Sequence, residues 1–351
     1  MNNSMNPFAP VWSSLVGLRN WIYDQKIIEP IQLPIPVISV GNITMGGTGK
    51  TPFIQWLLHE LIRMGYHPGV ISRNYGVNNK NSGFVTLGIE ASSIFGDEAV
   101  LLKMKNPDIP IYSGPQKWKS ALKVVEEAKS VDVLLIDDGF QHRRLKRDFD
   151  ILLLDTSVKK RDYEWPPRGR ARESFIALKR ASAIIFTKCE QSNAETLAFL
   201  EKKCSSIDYY QTQTQSIKPL MLRAEQKQGN PQWVRGKPLI SQNIIKEGRG
   251  LAFCGLGNPE SFLQGLKNQG LTIGAFKVFA DHFQYDKKSI QSLIELSINY
   301  DYLVTSEKDF VKVMGWPDEG PPLCVVSLEY QMSGDLEGFR AKLARHLGKN
   351  H

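Results

Sequence analysis

Residues 44–51 read Thr-Met-Gly-Gly-Thr-Gly-Lys-Thr, between an apolar run ending at Val40 and a stretch of helical periodicity. A loop that leaves a buried strand and opens a helix turns backbone N–H groups and a helix N-terminus toward an anion. Here Gly46, Gly47 and Gly49 let the backbone wrap phosphate closely. Lys50 supplies a cation for the β- and γ-phosphates, and Thr51 a hydroxyl for Mg²⁺. Thr44, Met45 and Thr48 complete the expected phosphate-binding loop. The pattern G-x-x-x-x-G-K-[ST] asks for Gly at position 44, where Thr stands. The loop is nearer the variants that read K-G-G-x-G-K-T, with Met45 in place of their lysine. Pro52, at the first helical turn, supports a helix start there.

A second element is "VDVLLIDDGFQHRR", an apolar strand ending in Asp137 and Asp138. Carboxylates at the carboxyl end of a parallel strand project into the crevice where open α/β sheets bind ligands. Beside a glycine loop they hold Mg²⁺ or its water shell. In "AIIFTKCE", Thr187 and Lys188 follow a strand like the base-recognition turn of nucleotide-binding loops, although a plain strand end reads the same way. "GDEA" and "ADHF" are not metal motifs. Asp97 reads as the N-cap of a helix starting at Glu98, and His282 as a capping or packing residue. "CGLGNPESF" lacks the third glycine of a dinucleotide fingerprint and reads as a strand-to-helix turn.

The elements that must position these residues alternate. Strands are expected at Pro36–Val40, Gly69–Ser72, Ile109–Tyr112, Val133–Ile136, Ile151–Leu154 and Ala183–Thr187, with helices at Pro52–Met64, Glu98–Met104 and Lys117–Ala128. This is an α/β pattern, a mostly parallel sheet with helices on both faces. From Gln211 to Gly250 the sequence turns to Gln, Lys, Gly and Pro and reads as a connecting region. A second α/β unit follows, with strands Leu251–Cys254, Leu271–Val278, Tyr302–Thr305 and Leu323–Leu328. Its helices are Pro259–Asn268, Lys287–Leu296 and Gly334–Leu347. Three segments result: 1–30, an N-terminal amphipathic helix; 31–222, a P-loop core; and 223–351, a smaller α/β domain.

In the first segment Ser13, Gly17, Asn20 and Asp24 form one helical stripe, and Trp12, Leu15, Val16, Leu18, Trp21 and Ile22 cover the rest. A wide apolar face with two tryptophans suits a membrane interface as well as a packed helix. The chain has 351 residues, 42% hydrophobic, with a net charge of +8. No apolar run reaches the roughly 18 residues of a membrane span, and no secretory signal is evident. The four cysteines are scattered and read as reduced thiols. The positive charge gathers in Arg143–Arg147, Lys159–Arg161 and Arg168–Arg172, without the interleaved aromatics that nucleic acid would call for.

Taken together the segments resemble the tetraacyldisaccharide 4'-kinase family. The matching stretches are "GLRNWIYD", "VISVGNITMGGTGKTP", "GVISRNYG", "GDEA", "IDDGFQHRRLKRD", "RGRARES", "FCGLGNPESF", "DHF" and "TSEKD". The resemblance implies transfer of the ATP γ-phosphoryl group to the 4'-hydroxyl of a lipid disaccharide 1-phosphate, giving lipid IV-A. It implies that Lys50 and Thr51 hold phosphate and Mg²⁺, with Asp137 and Asp138 near the metal. It pairs Asp97, as catalytic base, with His282, across the two halves of the chain. It places His142, Arg143, Arg170 and Arg172 beside the lipid substrate. It also implies a peripheral protein, expected as a monomer, on the cytoplasmic side of the inner membrane. Asn74 stands where the family has Gly, and Ser174 where Pro is usual. The alternative function is a nucleotide switch, a GTP-binding metallochaperone or regulatory ATPase with the same variant loop.

Overall fold

The computed structural model describes residues 8–72, 82–88, 90–215, 220–227, 230–235, 247–281, 283–313, 322–327 and 329–348. His282 and Asn74 lie outside the described residues. The chain divides into two compact units. The first comprises Met1–Ser72, Gln116–Thr214 and Tyr330–His351, and the second Arg73–Pro115 and Gln215–Glu329.

In the first unit, strands β1 (Val37–Asn42), β2 (Pro68–Ser72), β5 (Val133–Asp137), β6 (Phe149–Asp155) and β7 (Ala183–Thr187) are buried throughout. Continuous apolar runs of this kind are what a parallel sheet covered on both faces requires. The order runs β8-β7-β6-β1-β5-β2, with β8 spanning Tyr209–Gln215, and all these pairings are parallel. β1 therefore sits centrally, between β5 and β6. Helix α2 (Lys50–Arg63) follows it, burying Phe53, Ile54, Leu57, Leu58 and Leu61 on one face. α5 (Lys117–Glu127) buries Lys117, Ser120, Ala121 and Val124, an i, i+3, i+4, i+7 stripe that includes a lysine.

Helix α1 (Phe8–Asp24) precedes this sheet. Its polar stripe faces the unit: Asn20 donates to Glu173 Oε2 at 2.9 Å, and Arg143 donates to the Asn20 carbonyl and to Asp24 Oδ1. Trp12, Leu15, Leu18 and Trp21 lie on the other side, each more than half exposed.

The second unit is built on the sheet β10-β9-β14-β13-β11-β12. Its parallel part is β11 (Arg249–Cys254), β12 (Thr272–Val278), β13 (Tyr302–Ser306) and β14 (Leu323–Val326). Strands β9 (Leu220–Lys227) and β10 (Asn230–Arg235) extend it antiparallel. The region expected to be a connector thus contains strands: its polar residues pair by backbone hydrogen bonds, which need no apolar alternation. The helices Pro259–Asn268 and Lys287–Leu296 fall where their apolar periodicity places them. Asn258 and Asp286 cap them.

The spans 31–222 and 223–351 do not coincide with the two units, because the chain crosses between them more than once. Segment 73–115, which carries β3 (Gly83–Phe84), helices α3 (Ala91–Phe95) and α4 (Asp97–Lys105) and β4 (Ile111–Ser113), joins the second unit, where Met104 of α4 packs on the cluster of Leu251, Phe253, Tyr285 and Phe310. The tail from Tyr330 returns to the first. There helix Leu336–Leu347 anchors through Phe339 to Phe149 and through Arg340 to Glu60.

Candidate active site

The glycine loop lies between β1 and α2. Gly46 (φ 109) and Gly49 (φ 79) take backbone conformations that favour glycine. Among the described residues no side chain caps α2. The amides of Gly47, Gly49, Lys50 and Thr51 make no hydrogen bond within the described residues. Four such donors at a helix N-terminus form a cradle for anionic oxygens. A Cβ at Gly47 would meet nothing within 4 Å, whereas one at Gly49 would lie 1.9 Å from the Tyr330 hydroxyl. The loop is open on its outer side and tightly backed behind.

Its rear is held by two side chains. Thr187 Oγ1 donates to the Thr48 carbonyl at 3.0 Å, and Lys188 Nζ to the Gly47 carbonyl at 3.0 Å. Lys188 also pairs with the buried Asp155 at 2.6 Å. The Thr187-Lys188 turn therefore buttresses the loop. On the flank, Thr44 bridges to Ala171 and the Met45 amide donates to the Arg170 carbonyl at 2.6 Å. The Arg170 guanidinium lies beside Gly46 and pairs with Asp162 at 3.3 Å. Among the described residues, buried Thr48 Oγ1 has no hydrogen-bond partner, a polar atom that a bound nucleotide or water would satisfy.

Asp137 ends β5, and Asp138 follows at φ 53, an uncommon conformation for a residue with a side chain. Lys50 Nζ is 3.6 Å from Asp138 Oδ1, and Arg172 Nη1 donates to both carboxylate oxygens at 3.0 and 2.9 Å. Burial opposes the charge on Asp138, but Lys50, Lys117 and Arg172 outweigh it and hold this carboxyl well below the usual range. Ser72 Oγ donates to Asp137 Oδ2 at 3.3 Å. The hydroxyl of Thr51 and the carboxylates of Asp137 and Asp138 are all oxygen donors, the ligand type that Mg²⁺ takes.

Lys117 is the functional residue the sequence reading missed. Its buried ammonium donates to the carbonyls of Asp137 and, at 2.7 Å, Asp138, fixing the acidic turn from below. The signal was its place on the apolar stripe of α5. Gln141 Nε2 donates to the Asn42 carbonyl at 2.8 Å and ties the following turn to β1. His142 lies in that turn, while Arg143 is directed to α1.

Asp97 is not in the loop-bearing unit. It is the first residue of α4, whose N-cap is Gly96 at φ 89, so Asp97 is not itself the cap. It is almost fully buried and pairs with Lys312 at 3.4 Å. Asp281, which precedes His282 in sequence, pairs with Lys308 at 3.6 Å. Asp97 and Asp281 thus belong to one unit, in place of the expected division between halves.

A family profile described as LpxK, Tetraacyldisaccharide-1-P 4'-kinase, matches residues 1–348. The tetraacyldisaccharide 4'-kinase of Bdellovibrio bacteriovorus is 34% identical over 341 residues, covering 95% of this chain and 96% of that protein. The one from Chlorobaculum tepidum is 33% identical over 333 residues, covering 93% and 91%. The crystal structure of LpxK from Aquifex aeolicus in complex with ATP is similar with a TM-score of 0.74 at 25% identity, covering 97% of this chain and 98% of that one. Membership in a kinase family also decides between the two expected functions, against the nucleotide switch. The chain belongs to the tetraacyldisaccharide 4'-kinase family.

Proposed function

We propose that the protein transfers the γ-phosphoryl group of ATP to the 4'-hydroxyl of a tetraacyldisaccharide 1-phosphate, giving lipid IV-A. The observation that carries this reading is the loop whose Gly47, Gly49, Lys50 and Thr51 amides have no hydrogen-bond partner among the described residues, beside the Lys50–Asp138–Arg172 cluster. Those amides would hold phosphate oxygens, and Lys50 would offset charge developing on the transferring group. Mg²⁺, held by Thr51 with Asp137 or Asp138, would neutralise the phosphates and orient them for in-line attack. Asp97 would take the proton of the 4'-hydroxyl, and His282 would orient or tune it. Arg170, whose guanidinium lies beside Gly46 and also meets Asp162, and His142, in the turn after Asp138, are candidates for the acceptor's phosphate.

The acceptor carries acyl chains, so the enzyme must reach it at a bilayer. No helix among the described residues is long and apolar enough to cross a membrane. In this reading the exposed Trp12, Leu15, Leu18 and Trp21 face of α1 lies in the interface of the inner membrane's cytoplasmic side, as a peripheral contact.

The test is transfer of label from γ-labelled ATP to a detergent-dispersed tetraacyldisaccharide 1-phosphate. Wild-type protein labels the lipid. Lys50→Ala and Asp138→Asn, with unchanged circular dichroism, lose at least about 100-fold in kcat, the scale of one lost transition-state contact. Unlabelled lipid with the wild type, or near-normal turnover in folded variants, overturns the reading.

A further inference from the structure

Glu173 is a buried carboxylate that the reaction as described above does not use. It follows Arg172 in sequence, and the amides of both residues donate to the Ile43 carbonyl, at 2.7 and 3.4 Å, just after β1. Its Oε2 accepts from Arg180 Nη2 at 2.8 Å and from Asn20 Nδ2 of α1 at 2.9 Å. The Arg19 guanidinium lies 3.8 Å from Oε1 and donates to Asn20 Oδ1 at 3.2 Å. A carboxylate taken out of water needs such donors, and here one of them comes from a helix 153 residues away in sequence. Arg180 passes the contact on: its guanidinium lies 4.6 Å from the ring centroid of Phe140, two residues after Asp138. Phe140 is fully buried, and a Cβ on Gly41 would come within 2.5 Å of its own, so β1 holds it closely.

We propose that Asn20 is a positioning residue for phosphoryl transfer, joining α1 to both flanks of the Lys50–Asp138–Arg172 cluster. This rests on the reading of that cluster as the transfer site. One flank is reached by the Asn20 side chain on Glu173, next to the Arg172 that donates to both oxygens of Asp138. The other is reached by the Asn20 carbonyl, which accepts from Arg143 Nη1 at 2.9 Å. Arg143 follows His142 in the turn after Asp138, and its guanidinium also meets Asp24 at 2.6 Å and the Tyr23 ring at 5.2 Å. Two arms far apart in sequence thus converge on one residue of α1. A helix that only docked could do so on any surface of the unit. This one docks on the two segments that carry Arg172 and His142, while Trp12, Leu15, Leu18 and Trp21 lie on its other side. The inner face of α1 therefore sets where Arg172 and the His142 turn stand, whatever its outer face touches. Without the Asn20 amide, Glu173 is left to its two arginines, and the backbone it shares with Arg172 is free to shift.

The experiment is steady-state transfer by the full-length protein at saturating detergent-dispersed lipid, wild type against Asn20→Ala and Asn20→Asp. The KM for ATP and flotation with anionic liposomes are measured in parallel. Asn20→Asp keeps the shape of the side chain, but it removes the donor and sets a second carboxylate against Glu173. It should lose about 10²-fold in kcat, the cost of a displacement near 1 Å at such a site, and Asn20→Ala about tenfold. Both keep their KM for ATP within about twofold, because only the transfer step is disturbed. Both still float, because the apolar face of α1 is untouched. A wild-type kcat in the folded variants overturns the proposal. So does a loss of rate matched by an equal loss of flotation, which would make α1 an anchor alone. If Asn20→Asp does not fold, as judged by circular dichroism, Asn20→Ala decides. Wild-type protein that phosphorylates no lipid overturns the reading of the transfer site itself, a separate outcome.

Discussion

Replacing Lys117 by Met should separate the acidic turn from its support. The ammonium is buried and donates to two main-chain carbonyls, those of Asp137 and Asp138, while its charge helps hold Asp138 ionised. A hydrogen bond to a charged group contributes about 1.5–3 kcal/mol, so the two together contribute roughly 3–6 kcal/mol. Methionine fills a similar volume and recovers part of that through packing. Lys50 and Arg172 still face Asp138. The expected net loss is on the order of 2–4 kcal/mol, well above the usual effect of a surface change. The kinetic effect is larger than that of a distant core substitution, because Asp137 and Asp138 lose their register with Lys50 and Thr51. A displacement of about 1 Å at such a site costs roughly 10²-fold in rate. The assay is urea denaturation followed by tryptophan fluorescence, with lipid phosphorylation measured on the same preparation. Lys117→Met with wild-type kcat and denaturation midpoint would refute the assigned role, and the charge-preserving Lys117→Arg serves as the control.

Three further outcomes follow from the same contacts. Gly49→Ala should weaken ATP binding at least tenfold by calorimetry, because its Cβ would collide with the Tyr330 hydroxyl at a φ of 79. Asp138 is held below its ordinary range, so the stability it adds is complete above about pH 4 and is lost as pH falls through its folded value. Melting temperatures from pH 5 to pH 3 should therefore fall less steeply in Asp138→Asn than in wild type, and equal slopes would exclude the effect. Deleting residues 1–24 should abolish flotation with anionic liposomes while ATP binding persists, and undiminished flotation would place the membrane contact elsewhere.

The loop was legible in the sequence because strand, glycines, lysine and helix are consecutive, so local chemistry alone places them. The buried strands were legible for a similar reason, since apolar runs of β-branched residues have few other uses. Asp97 was misplaced because only tertiary packing decides that segment 73–115 belongs with residues 215–329. Lys117 and Lys312 were hidden because lysine is almost always exposed, and its burial depends on acceptors remote in sequence. Strands β9 and β10 were missed because their apolar stretches, Leu220–Leu222 and Trp233–Val234, are short and set among Gln, Lys, Gly and Pro. Arg143 was grouped with the substrate-facing arginines, although its partner Asp24 is 119 residues away in sequence.

The account stands on where the phosphate goes. Wild-type protein is incubated with ATP, Mg²⁺ and detergent-dispersed tetraacyldisaccharide 1-phosphate, and the product is examined by phosphorus–proton correlation NMR. The account predicts one new phosphomonoester, on the 4'-oxygen, with one ADP formed for each product molecule. A phosphate on any other oxygen, or ATP hydrolysis without a phosphorylated lipid, would contradict it.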